Sequence, residues 1–196
     1  MTSEDSYLRR FRKYGVDPRT LKWQSRKAAE QRYQEIVSLV DFKGKDILDV
    51  GCGFGGIIPF IASSVDKFSY TGVDSISQFI FEAKKLYPKQ AFIKGDYFAK
   101  PLKKKFDIII ANGSLNSNVA DNLAFRKKAI MTMFANAKEA VVFNMAGGHP
   151  QPKTAKGSNV WFADAREIEK FCKGVSPNLT FINHPGRREF TVVLMR

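Results

Sequence analysis

Short apolar runs alternate with amphipathic stretches along most of this chain. Apolar residues at helical spacing predict helices between the apolar runs, at about 20–40, 54–65, 118–136 and 164–173, with a further helix that begins near Ser75 or Ser77 and stops before Pro88. The apolar runs themselves, several of them nearly continuous as in strands covered on both faces, predict strands at about 45–50, 70–74, 90–94, 106–111, 141–145, 178–183 and 190–195. Residues 146–160 are polar and rich in Gly and Pro, which predicts a flap-like loop.

The turn after the first predicted strand is rich in glycine and begins with an acid. Residues 49–56 read Asp-Val-Gly-Cys-Gly-Phe-Gly-Gly. Glycine lets the backbone turn tightly and come close to a ligand. About two dozen residues later, a second apolar run ends in Asp74. A strand, a glycine turn, a helix, a strand and a terminal acid predict the nucleotide-binding half of a doubly wound sheet.

Asp49 bears on which nucleotide binds. Gly51, Gly53 and Gly56 also match the dinucleotide fingerprint, but a dinucleotide places its pyrophosphate on this turn. A carboxylate just before the first glycine would repel that anion. S-adenosylmethionine instead presents an ammonium and a sulfonium, so the acid favours this cofactor. A tight turn without any ligand is the remaining alternative.

Four motifs in order resemble class I S-adenosylmethionine-dependent methyltransferases. They are residues 47–55, 70–74, 92–97 and 106–112, which read Ile-Leu-Asp-Val-Gly-Cys-Gly-Phe-Gly, Tyr-Thr-Gly-Val-Asp, Phe-Ile-Lys-Gly-Asp-Tyr and Phe-Asp-Ile-Ile-Ile-Ala-Asn. The chain also resembles a poorly characterised small bacterial branch of that superfamily, through 21–23 with 31–33, 112–116, 143–145 and 189–194. The resemblance implies an α/β, Rossmann-like, doubly wound, mostly parallel seven-stranded sheet with an antiparallel C-terminal strand.

The resemblance also implies a cofactor site at the carboxyl ends of the strands, where ligands of open α/β sheets bind. Gly51, Gly53 and Gly55 are expected at the amino-acid part of the cofactor, and Asp49 at its ammonium. Asp74 is expected to accept hydrogen bonds from both ribose hydroxyls. The other residues that we assign to the cofactor are Ser75 beside the adenine, Asp96 at its amino group, Tyr97 near the ring, Asn112 near the reactive methyl, and Trp23 and Arg32 on a covering N-terminal helix.

Several of these residues have a simpler alternative reading. Asp74 is also placed to cap the next helix, and Asp96 to form a turn after its strand. A strand-end turn explains Asn112, Ser114 and Asn116, and a surface helix explains Trp23 and Arg32. His149 and His184 read as ordinary loop histidines, so no catalytic residue is assigned.

Composition bounds the class of protein. The chain has 196 residues, 44% of them hydrophobic, which predicts a single methyltransferase domain at 19–196. Residues 1–18 are polar and charged and predict a basic, loosely packed N-terminal arm. Two cysteines and no apolar run long enough to cross a bilayer predict a reduced, cytoplasmic protein. Two cysteines and two histidines without metal-ligand spacing give no support for zinc.

The acceptor is predicted by exclusion. An Asn/Asp-Pro-Pro-Tyr/Phe motif, common in enzymes that methylate nucleobase amino groups or glutamine amides, is replaced by Asn-Gly-Ser-Leu at 112–115. We therefore expect a small molecule bound under the 146–160 flap. A net charge of +13 keeps RNA or protein as an alternative acceptor. A cofactor-binding scaffold without catalysis is the third reading, and the oligomeric state is left open.

Overall fold

The computed structural model describes residues 3–196, which include every element predicted from the sequence. The chain forms two compact units, Met1–Lys100 and Pro101–Arg196. The first unit contains α1 (Ser3–Tyr14), a 3₁₀ turn (Pro18–Leu21), α2 (Arg26–Leu39), β1 (Asp46–Val50), α3 (Ile58–Ser64), β2 (Ser69–Asp74), α4 (Ser77–Leu86) and β3 (Ala91–Lys94). The second unit contains β4 (Phe106–Asn112), α5 (Asn122–Asn136), β5 (Ala137–Gly148), β6 (Ala163–Asp164), α6 (Ala165–Val175), β7 (Leu179–His184), a 3₁₀ turn (Pro185–Arg187) and β8 (Glu189–Met195).

The strands of the first unit are parallel and lie in the order β3-β2-β1. Asp49 on β1 is in register with Gly72 on β2, and Asp74 ends β2. All but the first residue of β1 are buried. The glycine turn and Asp74 therefore stand at the carboxyl ends of neighbouring strands.

The second unit contains both parallel and antiparallel strand pairs. Its strand order is β4-β5-β8-β7, in which β4 and β5 are parallel and β8 runs antiparallel to both β5 and β7. The two-residue β6 also pairs with β5. The predicted α/β, Rossmann-like class, with a mostly parallel sheet and an antiparallel C-terminal strand, is confirmed.

The N-terminal segment differs from the predicted loose arm. Residues 3–14 form a helix, and Tyr7, Leu8 and Phe11 pack on a buried cluster of Phe54, Ile76 and Phe79. Tyr7 and Leu8 are one helical step from Phe11, so the three share one face. The expectation of loose packing is wrong because this charged segment also has an apolar face, which packs on that cluster. The single domain at 19–196 stays a prediction.

Three boundaries also differ from the sequence prediction. β5 continues to Gly148, so residues 146–148 are buried strand and the polar loop begins at His149. α2 begins at Arg26, after the 3₁₀ turn, and not near residue 20, so Trp23 precedes the helix on which it was expected. α5 begins at Asn122, where Asp121 caps it by accepting from the Ala124 N–H.

Among residues 3–196, no helix combines the length and the apolar character needed to cross a membrane. The predicted cytoplasmic location stays a prediction.

The packing of α1 predicts the effect of one substitution. Phe11→Ala removes a half-buried ring whose centroid lies 6.0 Å from that of Phe54. We expect the free energy of unfolding to fall by roughly 1–3 kcal/mol, measured by urea denaturation. Arg12→Ala, on the exposed face of the same helix, is the control and should change it by less than about 0.5 kcal/mol. Equal midpoints for the two variants would mean that α1 is not docked.

Candidate functional site

The glycine turn satisfies its own backbone. Gly51 and Cys52 both donate their N–H groups to the Val73 carbonyl, at 2.8 and 3.1 Å, and Gly53 donates to Asp74 Oδ2 at 2.9 Å. A phosphate-binding turn instead directs several N–H groups at the ligand. This turn is therefore poorly suited to a pyrophosphate.

Backbone conformation and packing both explain why glycine occupies positions in this turn. Gly51, Gly53 and Gly55 have φ of 75°, 54° and 74°, in the left-handed region that favours glycine. A Cβ on Gly53 would lie 2.6 Å from Leu21 Cδ1. Part of the space that Gly53 leaves is therefore filled by the 3₁₀ turn before α2. Contact of these glycines with the cofactor stays a prediction.

Asp74 joins the glycine turn to the start of α4. Its Oδ2 accepts from Gly53 N–H and its Oδ1 from Ile76 N–H, both at 2.9 Å. Burial raises the pKa of Asp74, while backbone hydrogen bonds from Ile76, Gly53 and Ser75 oppose that rise. A carboxylate oxygen has lone pairs for more than one hydrogen bond, so the side chain retains acceptor capacity. Ser75, the predicted neighbour of the adenine, is exposed.

Asp49 lies beneath the turn and is buried, with 5% of its surface exposed. The Tyr70 hydroxyl donates to Asp49 Oδ2 at 2.7 Å. Burial raises the pKa of Asp49 to about 7; the Tyr70 hydrogen bond opposes the rise and the charge of Asp74 adds to it. Asp49 therefore changes its charge near neutral pH.

Trp23 and Arg32 contact each other, Trp23 just before α2 and Arg32 within it. The Arg32 guanidinium carbon lies 5.0 Å from the centroid of the Trp23 ring, and Arg32 also donates to the Ala28 carbonyl. Trp23 hydrogen-bonds the hydroxyl of Tyr33, a buried residue whose pKa burial raises, as does the nearby charge of Asp49. The covering role of this segment and the contact of Arg32 with a cofactor carboxylate stay predictions.

Asp96 and Tyr97 differ in exposure. Asp96 is exposed, and its Oδ1 accepts from the N–H groups of Phe98 and Ala99 at 3.0 and 3.1 Å. Those bonds give Asp96 the turn-forming role that was its alternative reading. Tyr97 is buried and meets the Phe98 ring edge-on, with centroids 5.7 Å apart.

Sequence reasoning missed two tyrosines near these acids. Tyr7 lies on α1, and burial raises its pKa, with a further contribution from the charge of Asp74. Tyr70 reaches Asp49 across the β1–β2 pair. The period-two alternation of β2 places Tyr70 on the same face as Gly72, and Gly72 is the register partner of Asp49. The signal for Tyr70 was therefore present, but the register was not known from the sequence.

In the second unit, β4 ends in side chains that lack partners. Both polar atoms of the Asn112 amide and the Ser114 hydroxyl are buried, without hydrogen bonds to any of residues 3–196. Asn116, by contrast, accepts from Ala146 N–H at 2.8 Å through Oδ1. Native proteins rarely leave buried polar groups unpaired, so Asn112 and Ser114 are candidates for ligand contact.

Each histidine lies near a polar side chain, and both cysteines are buried. His149 Nδ1 lies 3.5 Å from Asp164 Oδ1, and His184 Nε2 lies 3.4 Å from Thr191 Oγ1. Cys52 and Cys172 are buried, and burial raises the pKa of both thiols. No group of three or more metal-ligating side chains occurs within residues 3–196.

The acidic side chains of the first unit fit a cationic nucleoside. Asp49 supplies a buried carboxyl group and Asp74 a partly buried one, around a turn whose N–H groups are largely used internally. Opposite charges attract strongly in such low-dielectric surroundings. The acids therefore suit the ammonium, sulfonium and ribose hydroxyls of S-adenosylmethionine.

Curated relatives match only part of the chain. A putative methyltransferase, 235L, of Invertebrate iridescent virus 6 is 37% identical over 67 residues, which are 34% of this chain and 25% of the relative. A phthiotriol/phenolphthiotriol dimycocerosates methyltransferase of Mycobacterium tuberculosis is 32% identical over 81 residues, 40% of this chain and 30% of the relative. The matches thus span only about a quarter to a third of these relatives' length.

A solved structure matches the whole fold. Magnesium protoporphyrin IX methyltransferase from Synechocystis PCC 6803, with bound S-adenosylhomocysteine, has a TM-score of 0.69 and 16% identity, and the match covers 98% of this chain and 93% of that one. A sequence model described as a methyltransferase domain matches residues 41–174. The chain therefore belongs to the methyltransferase domain family, and its cofactor is S-adenosylmethionine.

Proposed function

We propose that this chain transfers a methyl group from S-adenosylmethionine to a small-molecule acceptor. The observation that carries the proposal is the Asp74 carboxylate, held between the N–H groups of Gly53 and Ile76 at the end of β2. A carboxylate held in place at this position is suited to accept hydrogen bonds from a ribose.

The cofactor brings the reactive group: when bound, it supplies a methyl group already activated by the sulfonium. The chain's own residues then bind the cofactor and the acceptor, orient them for transfer, and exclude water. Asp74 accepts from the ribose hydroxyls and Asp49 faces the ammonium. The segment from Trp23 to Arg32 covers the cofactor, and Asn112 lies toward the acceptor.

Three observations support a small-molecule acceptor. The M. tuberculosis relative is named for phthiotriol substrates, and the Synechocystis neighbour is named for magnesium protoporphyrin IX. Residues 112–115 lack the proline pair of amino-group methyltransferases. Asn112 and Ser114 offer buried polar atoms at the end of β4. RNA or protein stays the alternative acceptor, supported by the net charge of +13, and a scaffold without catalysis is the third possibility.

The ribose role of Asp74 predicts the effect of its neutralisation. Asp74→Asn should weaken binding of S-adenosylhomocysteine about 10- to 100-fold in calorimetry, because a charged acceptor is replaced by a weaker one. Asp66→Asn, an exposed carboxyl in the turn before β2, is the control and should leave the dissociation constant unchanged. An unchanged constant in Asp74→Asn would remove the ribose assignment.

The Asp49 pKa of about 7 predicts that cofactor affinity depends on pH. Asp49 is mostly protonated at pH 6 and mostly ionised at pH 8, and only the ionised form attracts the ammonium. Affinity for S-adenosylhomocysteine should therefore rise roughly tenfold from pH 6 to pH 8. In Asp49→Asn the same calorimetric titration should be flat over this range. A rise of equal size in that variant would assign the dependence to another group.

Transfer itself is tested with S-adenosyl-[methyl-³H]methionine and three acceptor pools: a cellular small-molecule and lipid extract, total RNA and total protein. We expect label in the small-molecule pool and none in the other two. Label in RNA or protein instead would establish the alternative acceptor. Cofactor binding without label in any pool would identify the scaffold.

A further inference from the structure

The segment after β4 is joined to the segment that leads into β6. Trp161 N–H donates to the Asn116 carbonyl and Asn118 N–H to the Asn159 carbonyl, each at 2.9 Å. Ser117 and Val160 form an isolated antiparallel bridge. The two segments therefore form one wall, here called the 112–118/158–161 wall, and Asn112 and Ser114 belong to it.

A fully buried arginine stands behind this wall. Arg126, with 0% of its surface exposed, donates from Nε to the Leu115 carbonyl at 2.9 Å and from Nη2 to the Ser117 carbonyl. Its guanidinium carbon lies 4.8 Å from the centroid of the Trp161 ring. Arg126 thus holds both parts of the wall.

The charge of Arg126 is met by carbonyl dipoles and by the rings of Trp161 and Phe125. The third residue that accepts from it is Asn122, through the carbonyl at 3.2 Å and Oδ1 at 3.0 Å, and no carboxylate of residues 3–196 forms an ion pair with it. Burial lowers the pKa of Arg126 to about 10, so it remains charged at neutral pH. A buried cation without a counter-ion is costly, and its field extends further in a low dielectric.

The two stretches of chain that contain this wall carry no acid, although Asp107, Asp121 and Asp164 flank them. Residues 108–120 carry no charged side chain, and residues 143–163 carry Lys153, Lys156 and His149 but no Asp or Glu. The carbonyls of Leu115, Asn116 and Ser117 are already engaged. Donors therefore remain available at the wall, in the Asn112 amide and the Ser114 hydroxyl.

We infer that the acceptor is a small-molecule carboxylic acid, bound as its carboxylate by Asn112 and Ser114 in the positive field of Arg126. This rests on the proposed function and adds the chemical class of the acceptor. A carboxylate is already ionised at neutral pH, whereas a phenol or an alcohol would need a general base, and no base is assigned here. Two neighbouring donors also match the two oxygens of a carboxylate.

The transfer balances without a proton. A carboxylate oxygen forms a bond to the methyl carbon, while the carbon–sulfur bond breaks and its electron pair stays on sulfur. The products are a methyl ester and a thioether, and no proton is released. Neutral donors suit this step because a direct guanidinium pair would stabilise the carboxylate more than the transition state, in which its charge is partly lost.

Binding is tested on the protein saturated with S-adenosylhomocysteine. The probes are two matched pairs, decanoate with decanamide and benzoate with benzamide, measured by calorimetry. We expect at least one acid to bind tenfold or more tightly than its amide. Ser114→Ala should weaken binding of that acid about tenfold, and Ser63→Ala, on the exposed face of α3, should not. Equal binding of acids and amides, or no binding of either acid, overturns the inference.

Two variants test whether the charge of Arg126 is responsible for the preference for acids. Arg126→Lys keeps the charge and Arg126→Met removes it, with circular dichroism to establish folding. Loss of the acid-over-amide preference in a folded Arg126→Met, with the preference retained in Arg126→Lys, supports the inference, and a preference retained in both contradicts it. If Arg126→Met does not fold, the Ser114→Ala comparison decides.

The product gives a readout independent of affinity. With S-adenosyl-[methyl-³H]methionine and the tighter-binding acid, label should appear in an ester that releases volatile methanol in mild base. Base-stable label, or no labelled product from that acid, overturns the carboxylate assignment alone. Absence of S-adenosylhomocysteine binding would instead defeat the proposed function itself, so the two failures are distinguishable.

Discussion

The hydrogen bonds that Asp74 accepts hold the first unit's ligand-binding end together. One carboxylate connects the N–H of Gly53, in the turn after β1, with the N–H of Ile76, at the start of α4. These groups are 23 residues apart in the chain, so a single side chain fixes how two strand-to-helix connections meet. Because Ile76 also belongs to the cluster that receives α1, the same contact sets the floor on which the N-terminal helix packs.

Holding acids in this place has an electrostatic consequence. Burial raises the pKa of both Asp49 and Asp74, and the charge of Asp74 raises the pKa of Asp49 further. Two like charges in a low-dielectric site are unfavourable until a cation arrives. The turn N–H groups, already bonded to Val73 and Asp74, cannot offset the charge for a phosphate. The preference for a cationic nucleoside therefore follows from both the side chains and the backbone.

The sequence predicted the parts of this arrangement that depend on local pattern. The strands, the glycine turn and the terminal Asp74 are each visible in a few consecutive residues. Tyr70 and Arg126 were missed because their partners, Asp49 and the Leu115 and Ser117 carbonyls, become neighbours only through strand register and helix packing. The N-terminal helix was misjudged for a related reason. Its charges are obvious in sequence, but the value of its apolar face depends on the cluster that covers it.

Asn112 shows how far such reasoning extends. Its position at the end of an apolar strand can be read from the sequence, but its buried amide, unpaired among the residues that the structure describes, cannot. The same chain pairs the side chain of Asn116 and surrounds Arg126 with carbonyls a few residues away. A loop that satisfies those groups has the means to satisfy Asn112, since Gly113 gives the backbone freedom to turn it. An unpaired buried amide lowers stability, and packing alone would favour an apolar residue there, which is the physical basis of the ligand contact proposed for Asn112.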